Sequence, residues 1–268
     1  MDVKRLRNII EYSNAKRVDM ETKVKNFYSF VGMGSDKEVL NIMQIARPAF
    51  EEKGYLVLEL PFADGELGAL CYKGDALGYI VLNTSLPKVN VNFAICHELY
   101  HVFYQKSEFR TKVEFADEDY TGKEEELAAN LFAGMLLMPE AGFRFMYRKF
   151  REESMGDGRD TVIRLMNYYQ APYMAVLIRC YELGMPGTGS ISEELLQMGR
   201  EYIRQRFIDL WLDDSILDAT GKDDFLRLKA AVAEFGNKYV GASYLERRTL
   251  QKVLHNMQVL YTEIKGEQ

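Results

Sequence analysis

His97-Glu98-Leu99-Tyr100-His101 is the stretch around which the rest of the chain organises itself. It has the form H-E-x-x-H. On an α-helix, positions four apart lie on one face, about one turn apart, so both imidazoles can reach one metal ion. Glu98 stands beside the first of them, placed to polarise a water on that ion. A metal lowers the pKa of its water to about 7, and the carboxylate then serves as general base and afterwards as the acid that protonates the leaving amine. Two of the chain's 3 histidines fall in this motif, and the segment around it, 91–105, carries helical periodicity of its own. The alternative is two ordinary polar residues on a helix face. Histidines this scarce, paired at this spacing, favour the metal.

A catalytic zinc site takes a third protein ligand and keeps one position open. His255 lies far away in the C-terminal region. The better candidate is in the next strongly helical stretch, about 123–138, which stops at Pro139. There Glu126, Ala129, Asn130 and Ala133 share one face at spacings of three and four. Their small side chains would let that face approach the histidine helix closely. Asn130, one turn from Glu126, could accept the far N–H of a ligand histidine, a partner that ligand histidines almost always have. Glu124 and Glu125 read as solvent-facing or as partners of the helix dipole. The expected metal ligands are therefore His97, His101 and Glu126, with Glu98 catalytic and Asn130 behind a ligand. Zn²⁺ is the expected ion, and Mn²⁺ or Fe²⁺ suits similar donors.

Outward from these helices, 268 residues make one large domain or two modest ones. Hydrophobic residues at 47% and charged residues at 28% are ordinary globular composition, which excludes a disordered chain, a collagen or a disulfide scaffold. No apolar run approaches the ~18 residues of a membrane span, and the charged start Met1-Asp2-Val3-Lys4-Arg5 does not read as a secretory signal. A net charge of −6 is no footprint for broad nucleic-acid binding. Cys71, Cys96 and Cys180, odd in number and widely spaced, suggest a reducing, cytoplasmic setting.

Residues 1–53 read as helical, interrupted at Gly32-Met33-Gly34-Ser35-Asp36, where Ser35 or Asp36 would cap the second helix. Strand-like runs follow at Tyr55–Leu60, Gly68–Tyr72 and Gly78–Leu82, separated by Ala63-Asp64-Gly65 and Lys73-Gly74-Asp75. They suggest a small, mostly antiparallel sheet, and with the helices an α+β fold. Past Gly156-Asp157-Gly158 come two short helices, about Asp160–Tyr169 and Pro172–Leu183, then a linker, Gly184-Met185-Pro186-Gly187-Thr188-Gly189-Ser190. Residues 191–265 read as helices only, with apolar sets Leu195, Leu196, Ile203, Phe207, Leu210, Trp211 and Leu245, Leu250, Val253, Leu254, Met257, Leu260, Tyr261. A helical subdomain is the plain reading of these and a partner-binding module the sharper one. His255, between Leu254 and Met257, reads as structural.

The two motif helices resemble the ImmA/IrrE family of metallopeptidases. Phe93-Ala94-Ile95-Cys96-His97-Glu98-Leu99-Tyr100-His101 is similar to the family's F-x-x-A-H-E-L-G-H. Glu126-x-x-Ala129-Asn130-x-Phe132-Ala133-x-x-Leu136-Leu137-Met138-Pro139 follows its longer and more distinctive E-x-x-A-N-x-F-A-x-x-L-L-M-P. The strand Gly78–Asn83 and the segment Tyr169–Gly184 also fit, so the likeness covers roughly residues 50–185. Cys96 stands where the family has Ala and reads as a small core residue. Tyr100 stands where the family has Gly and adds bulk near the metal helix, a change that can narrow or reshape the cleft.

The resemblance implies zinc on His97, His101 and Glu126, with water activated by Glu98. It also implies a bacterial cytoplasmic protein associated with mobile elements or stress responses, whose protein substrate is a helix-turn-helix transcriptional repressor. Together with the helical periodicity outside it, the likeness divides the chain into an N-terminal helical segment (1–53), a zincin-like metallopeptidase core (54–150), a helix-turn-helix-like segment (151–186) and a helical C-terminal domain (187–268).

Residues 143–184 hold seven Arg/Lys against five Asp/Glu. That excess is weak for a DNA reader, and structural support or substrate docking is the favoured reading of the helix pair. A different class of function is a regulatory protein that sequesters a repressor or binds DNA, with a structural or vestigial metal site. A structural zinc site is normally closed by four protein ligands. Three good ligands with no obvious fourth favour the enzyme.

Overall fold

The computed structural model describes residues 1–34, 41–73, 78–105, 120–185, 187 and 192–266. In chain order the elements are α1 (Val3–Phe30), α2 (Ile42–Glu52), β1 (Tyr55–Leu60), β2 (Ala69–Lys73), β3 (Gly78–Asn83), α3 (Lys88–Tyr104), α4 (Tyr120–Leu137), α5 (Glu140–Glu153), α6 (Gly158–Tyr169), α7 (Tyr173–Glu182), α8 (Glu193–Leu196) and α9 (Arg200–Asp209). A 3-10 turn at Asp214–Leu217, α10 (Phe225–Gly241) and α11 (Arg247–Lys265) complete it. The class is α+β. The expected cap at Ser35 or Asp36, the turn at Gly74-Asp75 and most of the linker 184–190 lie outside the described residues.

Among the described residues the strands form one sheet of order β1-β3-β2. It is mixed rather than mostly antiparallel: β2 and β3 pair antiparallel, while β1 and β3 pair parallel, from Tyr55↔Gly78 to Leu60↔Asn83. Alternation marks strands but not their partners. Burial decides the order here. β3 buries Ile80 and Leu82 completely and takes the centre, whereas β2 ends on exposed residues and takes an edge. The outer edge of β1 is covered from the C-terminal side: Glu59 N–H donates to Asp224 Oδ2 (3.0 Å), and Asp224 N–H donates to the Glu59 carbonyl (2.9 Å). Covering an edge in this way removes a template for stray strand pairing. The buried Glu59 carboxylate is paired with both Arg47 and Lys222.

Asn83 sets the exit from β3 towards α3. Fully buried, it accepts from Phe62 N–H (3.1 Å) and Ser85 N–H (3.0 Å) and donates to the carbonyls of Asp64 and Leu67 (2.8 Å each). All four bonds of one amide thus tie the loop after β1 to the turn after β3. The segment 218–224 straps the same turn: Lys88 N–H donates to Asp218 O, Gly221 N–H to Thr84 O, and Thr84 Oγ1 to Lys222 O.

From Val89 to His101, α3 is buried on most of its circumference, as befits a helix enclosed on several sides. It packs on the sheet, on α2 and on α4, and α4 in turn packs on α1. Phe132, fully buried on α4, brings together the rings of Phe27, Tyr100 and Tyr104 at centroid distances of 6.2, 5.9 and 5.5 Å.

Two elements differ from the sequence reading. The helix α5 was not anticipated. Pro139 stops α4 as expected but also stands at the N-cap position of α5, a place that tolerates its missing N–H. The signal was Phe143, Met146, Tyr147 and Phe150 at helical spacing, with Phe143 buried against Tyr169. Trp211 is no core residue. It follows the end of α9 in left-handed backbone (φ 56°) and is 94% exposed.

Phe132→Ala should cost about 3–5 kcal/mol of unfolding free energy, read by denaturant titration. A loss below about 1 kcal/mol would contradict the packing of α1, α3 and α4 around that ring.

Candidate metal centre

The helix α3 presents two adjacent faces to two different neighbours. His97 and His101 face α4. Ala94 and Glu98, also four apart, lie on the side of β2: a Cβ on Gly68 would sit 3.1 Å from that of Ala94, and Glu98 is close enough to Cys71 of β2 for its charge to act on the thiol. From α4, Glu126 and Asn130 meet the histidines. Glu126 places Oε2 3.1 Å from His97 Nε2 and Oε1 3.5 Å from His101 Nε2. The two Nε2 atoms are 2.9 Å apart.

The outer ring nitrogens explain what the inner ones are free to do. His97 Nδ1 is 3.1 Å from Asn130 Oδ1, and His101 Nδ1 is 2.6 Å from Gln105 Oε1. Amide oxygens only accept, so each Nδ1 carries the proton and each Nε2 is left as a lone pair. Two lone pairs and a carboxylate then converge on one point, an arrangement that a shared cation satisfies. In a tetrahedral zinc site with ligand bonds of about 2.0–2.1 Å, ligand atoms are about 3.3 Å apart, close to the separations here. His97, His101 and Glu126 can therefore hold a metal ion. Among the described residues no fourth His, Cys, Asp or Glu joins them. His255 is exposed on α11 and takes no part.

Charge and burial oppose each other across the group. Burial of His97 disfavours its cation, but the bond that a protonated Nε2 would donate to Glu126 and the charges of Glu98 and Glu126 outweigh it, and its pKa stays above the usual value. His101 is lowered by burial and by His97. Burial would raise Glu126, but the bond it would accept from a protonated His97 and the charges of the two histidines hold it below the normal carboxylate range. Glu98 is pushed up to about 7, chiefly by burial, with His97 opposing and Glu126 reinforcing.

Three features escaped the sequence reading. Gln105 was not considered, although it follows His101 by four residues. Glu125 is not a solvated side chain but is half-buried. Tyr100 is buried with its ring against Tyr104 and Phe132 and beneath Lys23 of α1, so its bulk is spent in the interface between α1, α3 and α4. Cys96 is a fully buried core residue.

No curated protein matches the chain. A solved structure described as a Mycobacterium tuberculosis transcriptional regulator is similar at a TM-score of 0.46 and 16% identity, over 69% of this chain and 55% of that one. The chain thus spans about half the length of that structure, and so distant a likeness carries no functional argument. The family model Peptidase_M78, the IrrE N-terminal-like domain, matches residues 50–181, from the end of α2 through α7. Both helices of the candidate centre lie inside that match, and on it this chain carries an IrrE N-terminal-like domain of the Peptidase_M78 family.

Proposed function

We propose that the chain is a zinc-dependent endopeptidase that acts inside the cell on a protein substrate. The observation that carries this reading is the convergence of His97, His101 and Glu126, with Glu98 buried beside them. The substrate class we propose, a helix-turn-helix transcriptional repressor, comes from the ImmA/IrrE resemblance. In this reading 54–150 is the catalytic core, and the helices before and after it position the core and the substrate.

His97, His101 and Glu126 would hold the ion. Bound there, it would supply Lewis acidity and a more acidic water. Glu98 takes a proton from the attacking water and later delivers it to the leaving amine nitrogen. Its burial between α3 and the β2 side limits exchange of that proton with bulk solvent. Asn130 and Gln105 fix the tautomers of His97 and His101, leaving both Nε2 atoms ready to ligate. A donor set of three with no fourth protein ligand among the described residues suits a catalytic site better than a closed structural one.

Elemental analysis of chelator-free protein should find about one zinc per chain, with loss or marked weakening in Glu126→Ala. Absence of metal even after zinc is added back would remove the peptidase reading. Glu98→Gln should keep the zinc and lower cleavage of candidate repressors by about 10²–10⁴-fold; undiminished cleavage would sink the role of Glu98. Asn130→Ala and Gln105→Ala should each weaken zinc binding about 10–100-fold in a chelator competition. Wild-type affinity in both would mean that the tautomers are set elsewhere.

A further inference from the structure

We propose that the hairpin of α10 and α11 is a docking surface for an acidic, amphipathic helix of a partner protein. The proposal is independent of the metal-centre reading, because no residue of the hairpin belongs to that centre.

The hairpin buries little of itself. On its two helices only Phe225, Gly236 and Leu250 are buried. Gly236 lets the Leu250 side chain come against the α10 backbone, and Lys229 Nζ donates to Gln258 Oε1 at 2.8 Å, so the helices are joined to each other. One end is seated on the sheet. Phe225 stacks on Tyr261 with ring centroids 3.8 Å apart, and Phe225, Met257, Tyr261 and Ile264 pack in one cluster with Leu60 and Phe62.

The apolar side that makes this seat continues beyond it. On α10, Phe225, Leu228, Val232, Phe235 and Tyr239 recur at spacings of three and four and form one stripe. Phe225 is buried, Leu228 and Val232 are half-buried, and Phe235 and Tyr239 are 59% and 56% exposed. On α11, Val253, Met257, Leu260 and Ile264 form a second stripe. Met257 and Ile264 pack on the sheet cluster, while Val253 and Leu260 are exposed. An amphipathic helix normally turns such a stripe inward, and contiguous apolar surface left in water marks an interaction site.

Charge identifies what covers it. Residues 225–265 hold seven Arg/Lys against three Asp/Glu, a balance of +4 in a chain of −6, so the remaining residues carry −10. Lys238 pairs with Glu234, and Lys229 is bonded to Gln258. Arg227, Arg247, Arg248 and Lys252 are exposed and make no ion pair among the described residues. Arg227 adjoins Leu228 and Lys252 adjoins Val253, so a free cation stands beside each stripe. A second copy of the hairpin would bring like charge against like, which complementary interfaces avoid. A nucleic acid would satisfy the cations but set Val253 and Leu260 against a polar, charged interface. A membrane surface takes a helix whose apolar face lies open along its length, whereas these stripes run into the sheet. A helix with apolar anchors at i, i+3, i+4 and i+7 and carboxylates beside them satisfies stripes and cations together.

The test is fluorescence anisotropy of the full chain with three labelled peptides of about 20 residues, long enough to form helix. One carries Leu at helical spacing with Glu between. The second has the same composition with the Leu positions scrambled, and the third has Lys for every Glu. The first should bind at least about tenfold more tightly than the others, and less tightly as salt rises. Phe235→Ser/Val253→Ser should weaken it about tenfold with an unchanged melting temperature, since both side chains are exposed. Arg248→Glu/Lys252→Glu should weaken it as much and shift the preference towards the lysine peptide. No binding, or equal binding of the first and scrambled peptides, would overturn the proposal. So would tighter binding to phosphatidylserine vesicles or to a DNA duplex, or a dimer seen by light scattering that Phe235→Ser/Val253→Ser dissolves. The readout needs no metal, so its failure and the failure of the zinc site are told apart.

Discussion

Two imidazole lone pairs and a carboxylate brought within 2.9–3.5 Å of one another repel unless a cation lies among them. This is the constraint to which the surrounding structure answers. A free chain would relieve it by swinging Glu126 into water or turning an imidazole over. Here each imidazole is tied by its Nδ1 to an amide oxygen, and His101 is buried. Glu126, the least enclosed of the three, depends on its helix for direction. The metal helix is therefore buried nearly all round, and the ligand helix is gripped from behind.

The supports come from parts of the chain far apart in sequence. The loop that leads into α3 is tied by Asn83 and strapped by residues 218–224. On the far side, α1 runs along α4 from Tyr12 to Tyr28. Below, Arg179 of α7 donates to the Met138 carbonyl at the end of α4 and pairs with Glu182, which also accepts from Ser13 of α1 (2.6 Å). That ion pair is almost entirely buried, a setting in which losing one partner is strongly destabilising. The middle of α1 and the C-terminal ends of α4 and α7 are thus joined by a polar staple on the side of α4 away from the histidines.

Chemistry that is local in sequence was legible before the fold was known. His97, Glu98 and His101 follow from one helical spacing, and Glu126 and Asn130 from another, because i to i+4 geometry holds wherever a helix forms. The strands were legible too, but not the parallel pairing of β1 with β3, since alternation says nothing about which neighbour a strand finds. Tyr100 and Glu125 were misjudged for a related reason. Tyr100 lies beneath Lys23 of α1, more than seventy residues earlier in the chain, and no local pattern announces that meeting. Gln105 was within reach of the same spacing argument as Asn130, but it lies at the helix end, where a polar residue invites no question.

The helix pair α6–α7, the part of the chain that reads most like a DNA-binding unit, shows how burial overrules pattern. A helix that reads a groove must offer exposed side chains and free positive charge. No residue of α7 is exposed, and Arg179 is spent on Glu182. Elsewhere in the segment Arg144 pairs with Glu140, Arg159 with Asp157 and Glu194, and Arg164 with Glu153. The left-handed Gln170 between the helices (φ 48°) turns α7 back onto the core, where Val176, Leu177 and Cys180 are buried. The modest basic excess of residues 143–184 is thus largely committed to internal pairing, and α7 packs against both α1 and α4. Its weight falls on the helix that carries Glu126.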